Sequence, residues 1–134
     1  MKVYRSLLND FPKQVKEELT SLELNKNNVV SISSACFNGE AFLDEEDFAH
    51  FEGELSFVAK IKDALDNHVF EYKFDSEVEF ILLSSAAEDS SQEVDQFIFK
   101  DNCIDLGEVL LTLVLSKISP YLSENGGEIK EYFL

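Results

Sequence analysis

The sequence predicts an α+β domain: an antiparallel sheet of four to six strands with a central hairpin and one or two packed helices. Three observations predict this class. Apolar and polar residues alternate on both sides of a short polar turn over residues 53–83. A nearly continuous apolar stretch at 105–118 is long enough for a helix. The chain has 134 residues, 45% of them hydrophobic, which suffices for the core of a single domain spanning 1–134.

The hairpin at 53–83 has the clearest pattern. Period-two alternation places the apolar residues of each strand on one face and leaves the polar residues in water. Residues 63–67 supply the polar turn between the two strands. The core predicted from the hairpin, from a short strand at 97–99 and from the C-terminal helix comprises Leu55, Phe57, Ala59, Ile61, Phe70, Tyr72, Phe74, Phe80, Phe97, Phe99, Leu106, Val109, Leu110 and Leu113.

A C-terminal helix is predicted over 105–118. Asp105 is followed three residues later by Glu108, which resembles a capping box at a helix start. Pro120 then closes the helix. Because the segment is apolar nearly all round, we expect it to be buried on most sides.

A second helix is predicted near the N-terminus. Asp10-Phe11-Pro12 resembles a helix start, because Asp caps well and Pro is tolerated in the first turn. Val15, Leu19 and Leu22 follow at helical spacing. These observations predict a helix over 12–22.

The other segments have weaker patterns. Val30 and Ile32 alternate with serines and predict a short strand. Residues 36–51 fit either a loop or a strand with a turn. Few apolar residues occur over 84–96, so we expect an exposed, mobile loop there, and a flexible end at 122–134.

The charge is strongly acidic and unevenly spread. The formal charge is −16, and residues 1–31 carry five basic and four acidic side chains, whereas the rest carries six basic and 23 acidic ones. Free nucleic acid is therefore a poor partner, since phosphate binding relies on Lys and Arg. Such a surface is either simply solvated or attracts a basic protein.

The sequence predicts a cytoplasmic protein without a membrane span. Cys36 and Cys103 are the two cysteines, too few for a disulfide framework, which favours a reducing compartment. The first ten residues lack the apolar stretch of a signal peptide. No apolar run approaches the 18 or so residues that a membrane helix requires.

No catalytic or cofactor motif is present in the sequence. The five glycines form no phosphate-binding pattern, and no nucleophile elbow or paired-histidine zinc motif occurs. His50 and His68 stand 18 positions apart with no cysteine nearby in sequence, so the spacing indicates no metal cluster. We therefore expect a protein that is not an enzyme and that takes no cofactor.

The order of elements over residues 50–121 resembles the YceD family, the large ribosomal RNA subunit accumulation proteins of bacteria and plastids. Gly53-Glu54-Leu55 opens a strand that leads through a tight turn to an aromatic strand and an acidic loop. The run from Ile104 to Glu108, Ile-Asp-Leu-Gly-Glu, then begins an apolar helix that ends near Pro120. Many family members carry C-x-x-C in the hairpin turn, where this chain has Asp63-Ala64-Leu65-Asp66.

The resemblance implies a non-enzymatic role in large ribosomal subunit assembly and ribosomal RNA accumulation. Its partner would be a basic ribosomal protein or a large-subunit precursor particle, bound through acidic surfaces. Charge density gives the candidate partner-binding residues Asp44, Glu45, Glu46, Asp47, Glu88, Asp89, Glu93 and Asp95.

Two alternatives remain open on sequence grounds. An acidic nucleic-acid mimic would inhibit a DNA- or RNA-binding protein and requires ordered rows of carboxylates. A dedicated chaperone or adaptor would bind its partner through an exposed apolar face of the helix at 105–118.

Overall fold

The main feature of the fold is a sheet of long strands with a helix packed on its apolar face. The computed structural model describes residues 1–85 and 93–124, and the backbone of 127–128. The elements in these ranges are β1 (Lys2–Tyr4), a 3-10 turn (Arg5–Leu7), β2 (Lys13–Lys26), β3 (Val29–Leu43), β4 (Ala49–Lys62), β5 (Val69–Leu83), β6 (Asp95–Ile98), β7 (Cys103–Asp105), α1 (Leu106–Ser116), β8 (Leu122–Ser123) and β9 (Gly127–Glu128).

The main sheet has five strands in the order β2-β3-β4-β5-β6. Strands β2 to β5 form an antiparallel meander, and β6 is parallel to β5. Two small antiparallel pairs, β1 with β7 and β8 with β9, complete the described chain. The predicted α+β class with a largely antiparallel sheet and a β4–β5 hairpin in its middle is therefore confirmed.

The register of the hairpin confirms the predicted alternation. Phe57 lies opposite Phe74, and Phe51 lies opposite Phe80, with the rings of each pair stacked 5.0 Å apart. Every predicted core residue between 55 and 61 is buried, as are Phe70 and Phe80. Tyr72, Phe74, Phe97 and Phe99 are partly buried and pack against the core. The alternation therefore identifies the apolar face, of which these four residues remain partly exposed.

The predicted helix over 12–22 is wrong, because this segment belongs to strand β2. Val15 is buried and Leu19 is half-buried on the apolar face of the sheet. Pairing with β3 along most of its length overrides the helical spacing, as tertiary contacts commonly override local propensity. Lysines and glutamates occur along this edge strand, and their charges oppose its pairing with a strand of another chain.

Residues 29–62 form a second long hairpin. The strand expected around Val30 and Ile32 extends to Leu43, and the segment at 36–51 resolves into strand, turn and strand. The turn at 44–48 uses Asp47 in the left-handed region, with φ 62°, which Asp tolerates better than most residues.

A pair of glycines marks a close approach of β3 to β4. Gly39 lies opposite Gly53, and a Cβ built on Gly39 would lie 2.1 Å from the Glu52 carbonyl oxygen. A Cβ on Gly53 would lie 2.4 Å from the Asn38 carbonyl oxygen. No side chain fits at either position without moving the backbone.

Helix α1 confirms the predicted burial and the predicted helix start at Asp105. The Asp105 carboxylate accepts a hydrogen bond of 2.9 Å from the Gly107 N–H at the first turn. The helix ends at Ser116, slightly before the predicted end, and none of its leucines or valines is exposed. Among the described residues, no helix is long and apolar enough to cross a membrane.

The loop expected at 84–96 and the flexible end expected at 122–134 are only partly described. Residues 86–92 lie outside the described ranges, whereas Asp95 and Gln96 belong to β6 rather than to a loop. Ser123 and Glu124 contact Asp63 of the hairpin turn, and the flexibility expected of the segment at 122–134 stays a prediction.

Candidate functional site

The polar face of the sheet carries a row of carboxylates across adjacent strands. Gln14 of β2 lies opposite Glu40 of β3, which lies opposite Glu52 of β4, which lies opposite Glu79 of β5. Alternation explains the row, because each residue is next to a buried apolar residue that points to the opposite face. These buried neighbours are Val15, Ala41, Phe51 and Phe80. Gln14 Nε2 donates to Glu40 Oε1 at 2.9 Å. Three glutamates thus follow one another across three strands.

A second row runs beside the first. Asn38 of β3 lies opposite Glu54 of β4, which lies opposite Glu77 of β5. The two rows line an open depression of about 610 Å³, and the glycine pair lies between them. Its five glutamates, which we call the acidic face, are Glu40, Glu52, Glu54, Glu77 and Glu79. No Lys or Arg is among the residues that line this depression in the described part of the chain.

Repulsion between the glutamates of the acidic face lowers the stability of the folded sheet. Like charges placed directly opposite each other on neighbouring strands are destabilising, by an amount on the order of 0.2–1 kcal/mol per pair. Glu52 with Glu79 and Glu54 with Glu77 are two such pairs. A cationic ligand or partner would relieve this repulsion.

His50 closes one end of the acidic face. Its Nδ1 lies 3.2 Å from Asp44 Oδ2, and its Nε2 lies 2.8 Å from Glu79 Oε1 and 3.5 Å from Glu52 Oε1. The ring is 4% exposed and stacks on Phe42, with 4.8 Å between ring centroids. His50, Glu52 and Glu79 each place a potential ligand atom within 4.8 Å of the other two, which is close enough to share a metal ion.

The sequence-predicted acidic residues at 44–47 have two different roles. Asp44 Oδ1 accepts hydrogen bonds from the backbone N–H groups of Glu46 and Phe48, and its side chain is only 8% exposed. Asp44 is therefore a turn-forming residue, and its contact with a partner stays a prediction. Glu45, Glu46 and Asp47 are exposed on the turn.

The structure describes two residues of the second predicted group, Glu93 and Asp95. Glu93 and Asp95 are exposed, and Asp95 Oδ2 pairs with Lys117 Nζ at 2.7 Å. Glu88 and Asp89 lie outside the described residues. Of this group, Asp95 already has a cationic partner within the chain.

A second histidine cluster lies at the β4–β5 turn, over residues 63–68. Asp63 is 2% exposed, and its carboxylate accepts hydrogen bonds from the N–H of Leu65 at 2.7 Å, the N–H of Glu124 at 2.9 Å and the Ser123 hydroxyl at 3.0 Å. Burial raises the pKa of Asp63, but these hydrogen bonds and nearby His68 outweigh it, so the net effect is a lowered pKa. Asp63 therefore joins the hairpin turn to residues 123–124.

His68 strengthens the same junction. Its Nε2 lies 2.7 Å from Glu124 Oε1, and its Nδ1 contacts Asp66. Hydrogen bonds to Glu124 and Asp66 raise the pKa of His68 despite desolvation. The backbone and side chain of His68 in turn lower the pKa of Asp66. Asp63, Asp66 and His68 also meet the spacing of a metal site. However, the Asp63 oxygens are already taken by protein donors, so we assign the cluster a structural role.

The acidic face was not among the residues predicted as the site, although a signal for it exists in the sequence. Glu52, Glu54, Glu77 and Glu79 all have the polar parity of the hairpin. Counting outward from the turn at 63–68 pairs them across the two strands. The contribution of Glu40 depends on the β3–β4 pairing, which the ambiguous pattern at 36–51 did not reveal.

Comparisons of the chain with models of protein families, with curated proteins and with solved structures found no match. The geometry of the acidic face, together with the sequence resemblance over 50–121, is therefore the basis for the function proposed next.

Proposed function

We propose that this chain is a non-enzymatic protein that binds a Lys- and Arg-rich partner protein through its acidic face. We further propose that the partner is a basic ribosomal protein or a large-subunit precursor particle. The observation that carries the proposal is the pairing of Glu40, Glu52 and Glu79 across three strands, without a Lys or Arg among the described residues of the depression.

The chemistry of the acidic face fits a basic polypeptide. The side chains of Glu52 and Glu79 are about half exposed, at 52% and 46%, so their oxygens are accessible to cations. The strands fix the backbone positions of the glutamates before a partner arrives, which lowers the entropy cost of binding. Carboxylates are acceptors of charge-assisted hydrogen bonds from Arg and Lys, and their combined field also accelerates encounter with a basic partner.

The family resemblance supplies the class of partner. Residues 50–121 resemble proteins linked to accumulation of large-subunit ribosomal RNA, and ribosomal proteins commonly carry Lys- and Arg-rich extensions. The expected cytoplasmic location belongs to the same proposal. The exposed residues Glu45, Glu46 and Asp47 lie on the turn that follows the end of β3 at Leu43. They therefore extend the acidic surface beyond His50.

A nucleic-acid mimic is the second candidate, and one observation favours it. The glutamates stand on strands rather than on a loop, in rows that follow the strand pairing. Adjacent strands lie about 4.8 Å apart, so successive carboxylates form a regular anionic array. Such an array would compete with DNA or RNA for a basic protein.

The chaperone or adaptor alternative loses the feature on which it depended. It required an exposed apolar face on the helix at 105–118. In α1 the apolar side chains are buried or half-buried, and Leu111 and Leu115 pack against the core.

Affinity capture of the tagged protein from its own host tests the proposal. Capture at about 0.05 M and 0.3 M salt, with proteins identified and RNA quantified in one eluate, uses the salt dependence of exposed charges. We expect the wild type to capture large-subunit ribosomal proteins at the lower salt and less of them at the higher salt. The Glu54→Lys/Glu77→Lys variant should capture none of them. Recovery of a nuclease, polymerase or repressor without ribosomal proteins would instead support the mimic.

A further inference from the structure

We propose that His50, Glu52 and Glu79 form a binding site for a divalent transition-metal ion of the zinc type. His50 Nε2 and one oxygen from each glutamate would be the three protein ligands, and Asp44 is the residue that positions the imidazole. This inference goes beyond the proposed function and is tested separately, because metal binding and partner binding have different readouts.

Strand geometry brings the three ligands together. His50 and Glu52 are two residues apart on β4, so they share the polar face. Glu79 lies directly opposite Glu52 on β5. The separations from His50 Nε2 are 2.8 Å to Glu79 Oε1 and 3.5 Å to Glu52 Oε1. All three ligand atoms therefore surround one point at the edge of the depression.

The hydrogen bonding of His50 leaves a place for a cation. An ionised carboxylate only accepts hydrogen bonds. When Nδ1–H donates to Asp44 Oδ2, at 3.2 Å, a neutral imidazole presents its Nε2 lone pair to the oxygens of Glu79 and Glu52. A metal ion placed between these atoms would be bound by one nitrogen and two oxygen donors. The ring is buried and stacked on Phe42, so it cannot turn away into water.

The contact between Asp44 and His50 is the arrangement that metal-binding histidines commonly have. Such a histidine usually donates its other ring N–H to a carboxylate or carbonyl, which fixes the tautomer and the ring orientation. Here Asp44 is itself held by the N–H groups of Glu46 and Phe48. The imidazole is therefore oriented by a hydrogen-bonded turn.

The donor set selects the class of ion. Imidazole nitrogen favours zinc and other first-row transition metals, whereas calcium and magnesium prefer oxygen ligands only. One imidazole and two carboxylates make three protein ligands, which leaves a further position for water or a partner group. Binding would neutralise charge in the row that contains Glu40.

Cobalt absorption and zinc competition test the site directly. Untagged protein is titrated with Co²⁺, whose visible spectrum reports coordination, and the bound Co²⁺ is then displaced with Zn²⁺. Glu52→Gln and Glu79→Gln each remove one ligand at an exposed position and should preserve the fold. Glu54→Gln and Glu77→Gln are matched controls, because each removes the same charge in the neighbouring row. Cys36→Ser/Cys103→Ser excludes thiolate binding.

The Asp44→Asn variant tests whether Asp44 orients the His50 imidazole for metal binding, separately from its role in folding. Its amide oxygen can still accept from the turn N–H groups, but its NH₂ group would donate to Nδ1 and move the ring proton to Nε2. We expect this variant to lose cobalt absorption while its Tm without metal stays close to that of the wild type.

The expected result is one Co²⁺ per chain, displaced by Zn²⁺, with affinity reduced at least about tenfold in the ligand variants and unchanged in the controls. Zinc should raise the Tm of the wild type but not of Glu79→Gln. Absence of a cobalt spectrum would overturn the proposal. Equal loss in the control variants, or displacement by Ca²⁺ and Mg²⁺ as readily as by Zn²⁺, would also overturn it, since either indicates diffuse attraction to carboxylates.

Discussion

Glu52 of β4 lies directly opposite Glu79 of β5, and the carboxylates of both approach Nε2 of the same buried histidine. The pair forms part of a row that also contains Glu40, on the strand beyond. Adjacent like charges oppose folding, so their placement is better explained by binding than by stability. The stability of this sheet and the proposed binding of cationic groups therefore depend on the same residues.

The first prediction concerns that repulsion. Glu54→Gln removes one charge from the pair with Glu77, so we expect the free energy of unfolding to rise by about 0.5 kcal/mol at low salt. Urea denaturation at about 0.05 M and 0.5 M salt measures the change, which should shrink as salt screens the charges. Glu108→Gln, on the exposed side of α1, is the control and should not increase stability. A loss of stability in Glu54→Gln would contradict the repulsion.

The second prediction concerns the glycine pair. Gly53→Ala would place a methyl group 2.4 Å from the Asn38 carbonyl oxygen, so β3 and β4 must separate. We expect a loss of about 1–3 kcal/mol in the free energy of unfolding, by analogy with overpacked cores. Gly107→Ala is the control, because its nearest contact is the Asp105 side chain at 3.2 Å. If Gly53→Ala lost no more stability than Gly107→Ala, β3 and β4 could separate at this point without a measurable cost.

The third prediction concerns pH. Because folding raises the pKa of His68, its contribution to stability is complete below its ordinary pKa of about 6.5 and is lost as pH rises through the folded value. The stability difference between wild type and His68→Gln should therefore be larger at about pH 5.5 than at about pH 8.5. Urea denaturation of both proteins at each pH measures it. A difference that grows with pH would contradict the ion pairing with Glu124 and Asp66.

The contribution of Asp63 to stability depends on pH in the opposite direction. Folding lowers its pKa, so its contribution is present above the ordinary value of 3.8 and is lost as pH falls through the folded value. His68→Gln should therefore still unfold in acid, because the contacts of Asp63 with Ser123 and Glu124 depend on the charged carboxylate.

The fourth prediction concerns Arg5. Its Nη1 donates to the Leu82 carbonyl at 2.9 Å, its Nε donates to the Asp101 carbonyl at 3.2 Å, and its Nη2 donates to the Phe99 carbonyl. Lysine has the charge but lacks the planar fork, so we expect Arg5→Lys to cost about 1–3 kcal/mol in unfolding free energy. Lys100→Gln, at an exposed position in the same region, should have little effect, and a similar loss there would point to net charge instead.

The predictability of the fold differs from strand to strand. The β4–β5 hairpin could be predicted because each arm is buried on one face and alternates cleanly. Strand β2 could not be predicted, because an edge strand needs few apolar residues. In addition, Val15, Leu19 and Leu22 happen to match a helical spacing. Helix α1 was predictable from Asp105 and its continuous apolar run.

The candidate site was less predictable than the fold. Charge density along the sequence favoured the run at 44–47, but Asp44 turns its carboxylate inward to hold the turn and His50. Each histidine has a carboxylate two positions away in sequence, Glu52 for His50 and Asp66 for His68. Glu79, in contrast, is brought to His50 only by strand pairing. Contacts between distant residues depend on register, which local patterns do not contain.

Direct binding to a basic ribosomal protein from the host's large subunit tests the central proposal. Affinity is measured at about 0.05 M and 0.3 M salt for wild type, for Glu54→Gln/Glu77→Gln and for Glu45→Gln/Glu46→Gln, two variants with the same change in charge. We expect salt-sensitive binding by the wild type, a loss of at least about tenfold in the first variant, and a smaller loss in the second. No binding by the wild type, or equal losses in the two variants, would contradict a partner site on the acidic face.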